Sequence, residues 1–263
     1  MGLLLCSKEA EHPYYYDKLD VNLWSIQELC YVVCRYPVMI PEDFINRKLI
    51  SWLRDELSLG ILAAKLEQYM GADEEQEKMI LLILKEGNYY TQQEIAKFQT
   101  ELKKLRETDS ASFQELVGDT FFRMGKYGKA VECYRESAML HGPDNTRIKM
   151  KLADAFVTVM QYRKASDTYE EVFVETNQDE PLRKLYFIAK LEPSVSTISK
   201  YIDSVDTEKL AAWEMEYEAV LKKAETTERV ERVNAIYQKD RQEFRQQAAE
   251  LLKKWKKEYR EKV

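Results

Sequence analysis

The chain has 263 residues, of which 40 are Lys or Arg and 46 are Asp or Glu, so its formal net charge is −6. It contains only 8 glycines and 6 prolines, and no glycine follows position 142. This scarcity of turn-forming residues excludes a β-sandwich or β-barrel, because both need many tight turns. Charged residues at 33% and hydrophobic residues at 45% are typical of amphipathic helices. We therefore expect helix in more than about 70% of the chain, with essentially no sheet.

The first residues of the chain carry no clear targeting signal. No apolar run approaches the roughly 18 residues that a membrane-spanning helix requires. The apolar start, Met1–Cys6, is too short for a signal peptide and lacks a basic region. Position 6 is Cys, where an N-myristoylation motif requires Ser or Thr. We expect this segment to pack against the fold and the protein to be cytoplasmic.

The four cysteines are interpreted as structural residues. They are Cys6, Cys30, Cys34 and Cys133. Scattered cysteines in a cytoplasmic chain are expected to be reduced. Cys30 and Cys34 would share a helix face and could hold a metal with two further ligands. The chain has only two histidines and no Cys-x-x-Cys motif, so we expect no metal and no cofactor.

The N-terminal part of the chain is predicted to be a block of four or five helices with short connections. Residues 13–23 show no helical period and are expected to be an irregular lead-in. Ser25 and Glu28 form a capping box that begins the first helix, and Thr91 and Glu94 form another that begins the last. Apolar spacing between them predicts helices that start near Glu42, Leu62 and Met79.

An internal repeat with a period of 35 residues follows. Residues 118–134 align with residues 153–169, and each copy is predicted to be two helices joined by a short turn. Small residues let the two helices approach, and aromatic residues fill the space between neighbouring hairpins. The aligned pairs are Gly118 with Ala153, Asp119 with Asp154, Phe121 with Phe156, Tyr127 with Tyr162, Lys129 with Lys164, Ala130 with Ala165, and Tyr134 with Tyr169.

This pattern resembles the tetratricopeptide repeat (TPR) over about residues 112–177. The first copy matches the family pattern at Gly118, Phe121, Ala130 and Tyr134. Gln114 stands where the family has Trp, and the period is one residue longer than usual, which the turn at 142–145 can absorb. The resemblance implies a solenoid of helical hairpins whose first helices line a concave groove.

The resemblance also implies which residues line that groove and bind a partner. They are Glu115, Asp119, Phe122, Arg123, Arg147, Met150, Asp154, Val157 and Thr158. Phe122 and Val157 are apolar and are expected to anchor the partner within a charged rim. Acidic residues such as Asp119 and Asp154 replace the residues that hold an acidic tail in chaperone-binding members. A basic or amphipathic segment is therefore expected rather than an acidic tail. The alternative is that flanking helices of the same chain fill the groove.

The C-terminal region is predicted to contain two long amphipathic helices. The first, over residues 210–221, is expected to cap the solenoid, and the second spans residues 230–259. Residues 239–263 contain nine basic and five acidic residues, together with Trp255. This basic helix is either a solvated capping helix or a surface for a partner protein, for self-association, for a membrane or for nucleic acid.

The sequence therefore predicts an all-α protein with three regions. They are an N-terminal helical region at 1–108, TPR-like hairpins at 109–192 and C-terminal helices at 193–263. The chain contains no glycine-rich phosphate loop and no zinc-protease or serine-hydrolase motif. We expect a non-enzymatic scaffold or adaptor that binds a protein or peptide. The alternatives are a nucleic-acid-associated regulator that uses the basic C-terminal helix, and an enzyme with an unrecognised active site.

Overall fold

The computed structural model describes residues 8–72, 74–142 and 145–262. Of the described residues 75% are helical, and they form 13 α-helices, packed in consecutive pairs, and one two-stranded sheet. The predicted all-α class with helical hairpins is confirmed. The predicted packing of the apolar segment at 1–6 and the turn residues 143 and 144 lie outside the described residues.

Two short strands precede the first α-helix of the chain. The elements are, in chain order, β1 (Tyr14–Tyr16), β2 (Val21–Leu23), α1 (Ile26–Arg35), α2 (Arg47–Asp55), α3 (Gly60–Gly71), α4 (Gln76–Gly87), α5 (Gln92–Arg106), α6 (Ser110–Arg123), α7 (Tyr127–His141), α8 (Thr146–Thr158), α9 (Tyr162–Thr176), α10 (Asp179–Leu191), α11 (Thr207–Glu225), α12 (Glu228–Tyr237) and α13 (Arg241–Lys262). Short 3-10 helices lie at Pro37–Met39, Ile198–Lys200 and Ile202–Ser204. One compact unit ends at Asp109 and the second begins at Ser110, so residues 193–262 belong to the same unit as the hairpins.

An antiparallel β-hairpin stands where the sequence predicted an irregular lead-in, so that prediction is wrong. Tyr14 pairs with Leu23, and Asp20 adopts a positive φ of 58° in the connecting turn. Tyr14 and Tyr16 are buried, whereas Tyr15 is 47% exposed. This alternation is the period of a strand. The sequence does not show this alternation, because the three strand residues are all tyrosines, although tyrosine favours strands.

Polar side chains begin the first and last helices of the N-terminal unit, but only the last helix has the complete capping box that the sequence predicted. The Glu28 carboxylate accepts a hydrogen bond from the backbone nitrogen of Trp24 and not from that of Ser25. The Ser25 side chain accepts a hydrogen bond from the backbone nitrogen of Glu28 at 3.2 Å. Thr91 and Glu94 form a complete capping box, in which each side chain bonds the other residue's backbone nitrogen. Both caps satisfy backbone donors that have no partner within the helix.

Two other helix boundaries differ from the prediction because polar residues cap the helices elsewhere. The helix predicted from Glu42 begins at Arg47, where the side chain of Asn46 caps it. The helix predicted over 230–259 is two helices, α12 and α13. Asp240 lies between them and accepts hydrogen bonds from the backbone nitrogens of residues 242 and 243 at 2.8 and 3.1 Å. A side-chain cap of this kind favours a new helix start over continuation.

The second unit consists of successive helical hairpins that keep the predicted period. The second helices, α7 and α9, begin at Tyr127 and Tyr162, which are aligned residues. The aligned core pairs are buried in both copies: Phe121 with Phe156, Ala130 with Ala165, and Tyr134 with Tyr169. Helix α10 packs on α9, and α11 packs on α10. None of the helices in the described ranges has both the length and the apolar character needed to cross a bilayer.

Candidate functional site

The first helices of the hairpins, α6, α8 and α10, form the surface that we call the groove. Gly118 brings α6 close to α7, since a Cβ atom at this position would lie 2.7 Å from the Tyr134 ring. The Tyr134 hydroxyl then donates a hydrogen bond to Oδ1 of Asp119 at 2.8 Å. In the next hairpin, Tyr169 donates to Oδ1 of Asp154 at 2.5 Å. Both hairpins therefore hold their groove aspartate in the same way.

Cations from α8 cover the carboxylates of α6. Arg147 forms an ion pair with Glu115, and Lys151 Nζ lies 2.6 Å from Oε1 of Glu115. Lys151 also donates to both carboxylate oxygens of Asp119 at 2.7 Å. Glu115 is only 4% exposed. Glu115, which was predicted to bind a partner, is therefore covered by two side chains of the neighbouring hairpin.

Asp154 is paired in a similar way by α10, which is the first helix of the third hairpin. Lys184 Nζ, on α10, lies 2.9 Å from Oδ1 of Asp154. Each groove aspartate thus has a tyrosine from its own hairpin and a lysine from the next one. Charge-assisted hydrogen bonds of this kind are stronger than neutral ones. The negative charges of the groove are therefore balanced within the chain.

A cavity of about 410 Å³ lies in the groove beside α8 and α10. It brings together four of the predicted residues: Phe122, Asp154, Val157 and Thr158. The sequence reasoning missed Tyr169, Lys184, Phe187, Ile188 and Leu191. The spacing of Phe187 and Leu191, four residues apart on one helix, is a signal that could have found this wall. The lining is mainly apolar with one internal ion pair.

The remaining predicted residues lie outside this cavity. Arg123 is exposed, and its Nε donates to the backbone oxygen of Asp119 at 3.3 Å. Met150 is half-buried on α8. Glu115, Asp119 and Arg147 belong to the ion-pair cluster. The nine predicted residues therefore divide between a cavity and a cluster, with Arg123 and Met150 in neither.

The environment of the two groove tyrosines keeps their hydroxyl groups protonated. Burial raises the pKa of Tyr134, and the hydrogen bond to Asp119 raises it further. Burial and the charge of Asp154 raise the pKa of Tyr169. A phenolate beside a carboxylate would be doubly unfavourable, because it is desolvated and repelled. Both hydroxyl groups therefore act as hydrogen-bond donors across the physiological pH range.

The three described cysteines are free thiols. Burial raises the pKa of Cys30 and of Cys34 to about 12, and that of Cys133 to about 11. They are protonated at neutral pH and are therefore poor nucleophiles and metal ligands. Within the described ranges, no three His, Cys, Asp or Glu side chains are grouped so that they could hold a metal ion.

No family model, no curated protein and no solved structure matches this chain. The resemblance to the tetratricopeptide repeat therefore stays a prediction. It depends on the aligned residues of the two hairpins.

Proposed function

We propose that this chain is a non-enzymatic scaffold or adaptor, built on TPR-like hairpins, that binds an amphipathic segment of another protein. The observation that carries the proposal is the apolar cavity in the groove. Phe122 and Val157, the predicted anchor residues, line it together with Phe187 and Leu191. Concave apolar pockets with a few polar groups are the preferred sites for large anchoring side chains. A helical partner would present such a side chain from its apolar face.

The paired charges of the groove favour an apolar anchor over a charged one. To form an ion pair with Glu115 or Asp119, a partner would have to displace Lys151. Because the existing pair would be lost, such an exchange contributes little to binding. The prediction of a basic partner depended on the carboxylates of Glu115, Asp119 and Asp154, and all three are paired within the chain. The amphipathic partner remains as the proposal.

Site-specific photo-crosslinking tests the proposal. A photoreactive amino acid replaces Val157 or Phe187 in the cavity, and the protein is expressed in the cytoplasm of its native host, the compartment predicted from the sequence. Met139 on α7, which is 75% exposed, is the control position. We expect one protein adduct, identified by mass spectrometry, from both cavity positions and not from Met139. Equal labelling at all three positions, or no adduct, contradicts the proposal.

A further inference from the structure

The last helix, α13, exposes a mixed apolar and basic surface, which we call the C-terminal ledge. Its residues are Leu252, Lys253, Trp255, Lys256, Tyr259 and Arg260. Leu252 is 51% exposed, Trp255 40% and Tyr259 42%. No residue of α13 in the described range is buried. The largest apolar side chains of the ledge are therefore incompletely covered by their own chain.

Three cations of the ledge have no ion-pair partner among the described residues, in contrast to Lys151 and Lys184 of the groove. Within the described ranges, no carboxylate lies within 4.0 Å of Lys253, Lys256 or Arg260. Helix α13 contains eight basic and four acidic residues, a net charge of +4 in a chain whose total is −6. An open depression runs along this side of α13, and its described lining, which comes from α13 alone, includes Leu252, the three cations and Glu250. The ledge thus offers exposed apolar side chains beside cations that no carboxylate of the described ranges pairs with.

The ledge is connected to the groove. The Tyr259 hydroxyl donates a hydrogen bond of 3.3 Å to the backbone oxygen of Val159, at the C-terminal end of α8. Val157 and Thr158, which directly precede Val159 in the chain, line the apolar cavity. The end of α8 that borders the cavity therefore also contacts the ledge.

We propose that the partner is an acidic amphipathic helix, which places an apolar side chain in the groove cavity and pairs its carboxylates with Lys253, Lys256 and Arg260. This inference rests on the proposed function and adds the charge of the partner. Charge complementarity is the reason, because the groove carboxylates are paired, whereas no carboxylate of the described ranges pairs with the three ledge cations. Apolar contact gives the affinity, and the charges select the partner and speed its association.

The contacts of α13 favour a protein segment over a lipid surface. Tyr259 binds α8 at one end of the helix, and Phe244 packs against Tyr237 of α12 at the other, with ring centroids 5.2 Å apart. An amphipathic helix binds a bilayer by inserting its whole apolar face. α13 would have to break both contacts to do so, whereas a partner helix can use the exposed side as it stands.

A display selection on the full chain tests this inference. The library contains helical peptides with a fixed apolar stripe and outward positions randomised among Glu, Lys, Gln and Ser. We expect the selected peptides to be rich in Glu. Their dissociation constants should rise about tenfold with Lys253→Glu/Lys256→Glu/Arg260→Glu. The matched control, Lys222→Glu/Lys223→Glu/Arg241→Glu, makes the same change of net charge at other exposed positions and should have little effect. Circular dichroism confirms that each variant folds.

The outcomes separate the inference from the proposed function. Lys-rich or uncharged peptides that lose affinity with Phe122→Ala overturn the acidic partner and leave the groove as a binding site. An empty selection, or peptides that are indifferent to Phe122→Ala, overturns both. A third outcome is that the selection yields no Glu-rich peptides and the protein binds phosphatidylserine vesicles or an oligonucleotide. If the ledge variant abolishes that binding, the ledge is assigned to lipid or nucleic acid instead. A dimer in sedimentation that the ledge variant dissociates assigns it to a second copy of the chain.

Discussion

The hydroxyl group of Tyr134 donates a hydrogen bond of 2.8 Å to Asp119, and the next hairpin repeats the pair with Tyr169 and Asp154 at 2.5 Å. Each tyrosine lies on the second helix of a hairpin and each aspartate on the first. A lysine from the following hairpin completes each cluster. The aspartates therefore join three helices, two within a hairpin and one beyond it.

Removing these hydroxyl groups should destabilise the protein. Tyr134→Phe and Tyr169→Phe keep the rings but leave a charged acceptor with one partner fewer, so each should cost about 1–2 kcal/mol of unfolding free energy. Urea denaturation measures the loss. Tyr237→Phe, at a residue that is 71% exposed, is the control and should change stability by less than about 0.5 kcal/mol. Equal stability of all three variants would show that the buried hydrogen bonds contribute nothing.

The same tyrosines predict a loss of stability at alkaline pH. Burial and the adjacent aspartates raise the pKa of Tyr134 and Tyr169 in the folded state. Their contribution is therefore complete below the unfolded tyrosine pKa of about 10 and is lost as the pH rises through the higher folded value. We expect the melting temperature to fall above about pH 10, and less steeply in the double Tyr→Phe variant. Phenolate absorbance measures the titration of the tyrosines in the folded protein. If all of them titrate near their ordinary pKa, the predicted stabilisation by Tyr134 and Tyr169 is contradicted.

An acidic residue at the contact between the two helices of a hairpin should be strongly destabilising. Ala130 and Ala165 are fully buried. Ala130→Asp or Ala165→Asp puts an unpaired carboxylate into a packed contact, at an expected cost of about 3 kcal/mol or more. Thermal melting checks the effect, with Ala211→Asp on the exposed side of α11 as control. Melting temperatures that match the control would mean that the repeat register is wrong.

Gly118 should not tolerate even a methyl group. A Cβ atom there would lie 2.7 and 2.8 Å from two ring atoms of Tyr134. The resulting overpacking costs about 1–3 kcal/mol, which exceeds the gain of about 1 kcal/mol from replacing a helical glycine by alanine. Gly71→Ala is the control, because no atom lies within 4 Å of its added Cβ. Chemical denaturation should show Gly118→Ala destabilised and Gly71→Ala unchanged or stabilised, and the reverse order would contradict the close approach.

Phe122 distinguishes an open groove from one filled by its own chain. It is half-buried and contacts Tyr127 edge-on, with ring centroids 5.2 Å apart. If the groove binds a partner, Phe122→Ala keeps stability within about 1 kcal/mol and loses the cross-linked partner. Phe121→Ala, at the buried neighbouring position, is the matched control and should cost about 3–5 kcal/mol. A loss of that size at Phe122 would overturn the groove as a binding site.

Local sequence patterns predicted the hairpins but did not predict the contacts between one hairpin and the next. Ala130 and Tyr134 could be placed because both recur 35 residues later, as Ala165 and Tyr169. Lys184 lies 30 residues from the aspartate that it pairs with, and its role depends on how one hairpin packs on the next. The same dependence hid the burial of Glu115. Leu191 was not predicted as a groove residue. Apolar residues that line a groove have the same helical spacing as those that face the core, so the sequence alone does not separate them.

The pairing of Asp154 with Lys184 sets a limit on how this protein can be dissected. A fragment that ends with α9 keeps both recognisable repeats, but it loses the lysine and two apolar walls of the cavity, Phe187 and Leu191. Helix α10 in turn depends on α11, where Trp213 lies 5.7 Å from the ring of Tyr186. The smallest fragment that keeps these groove contacts therefore extends beyond Trp213.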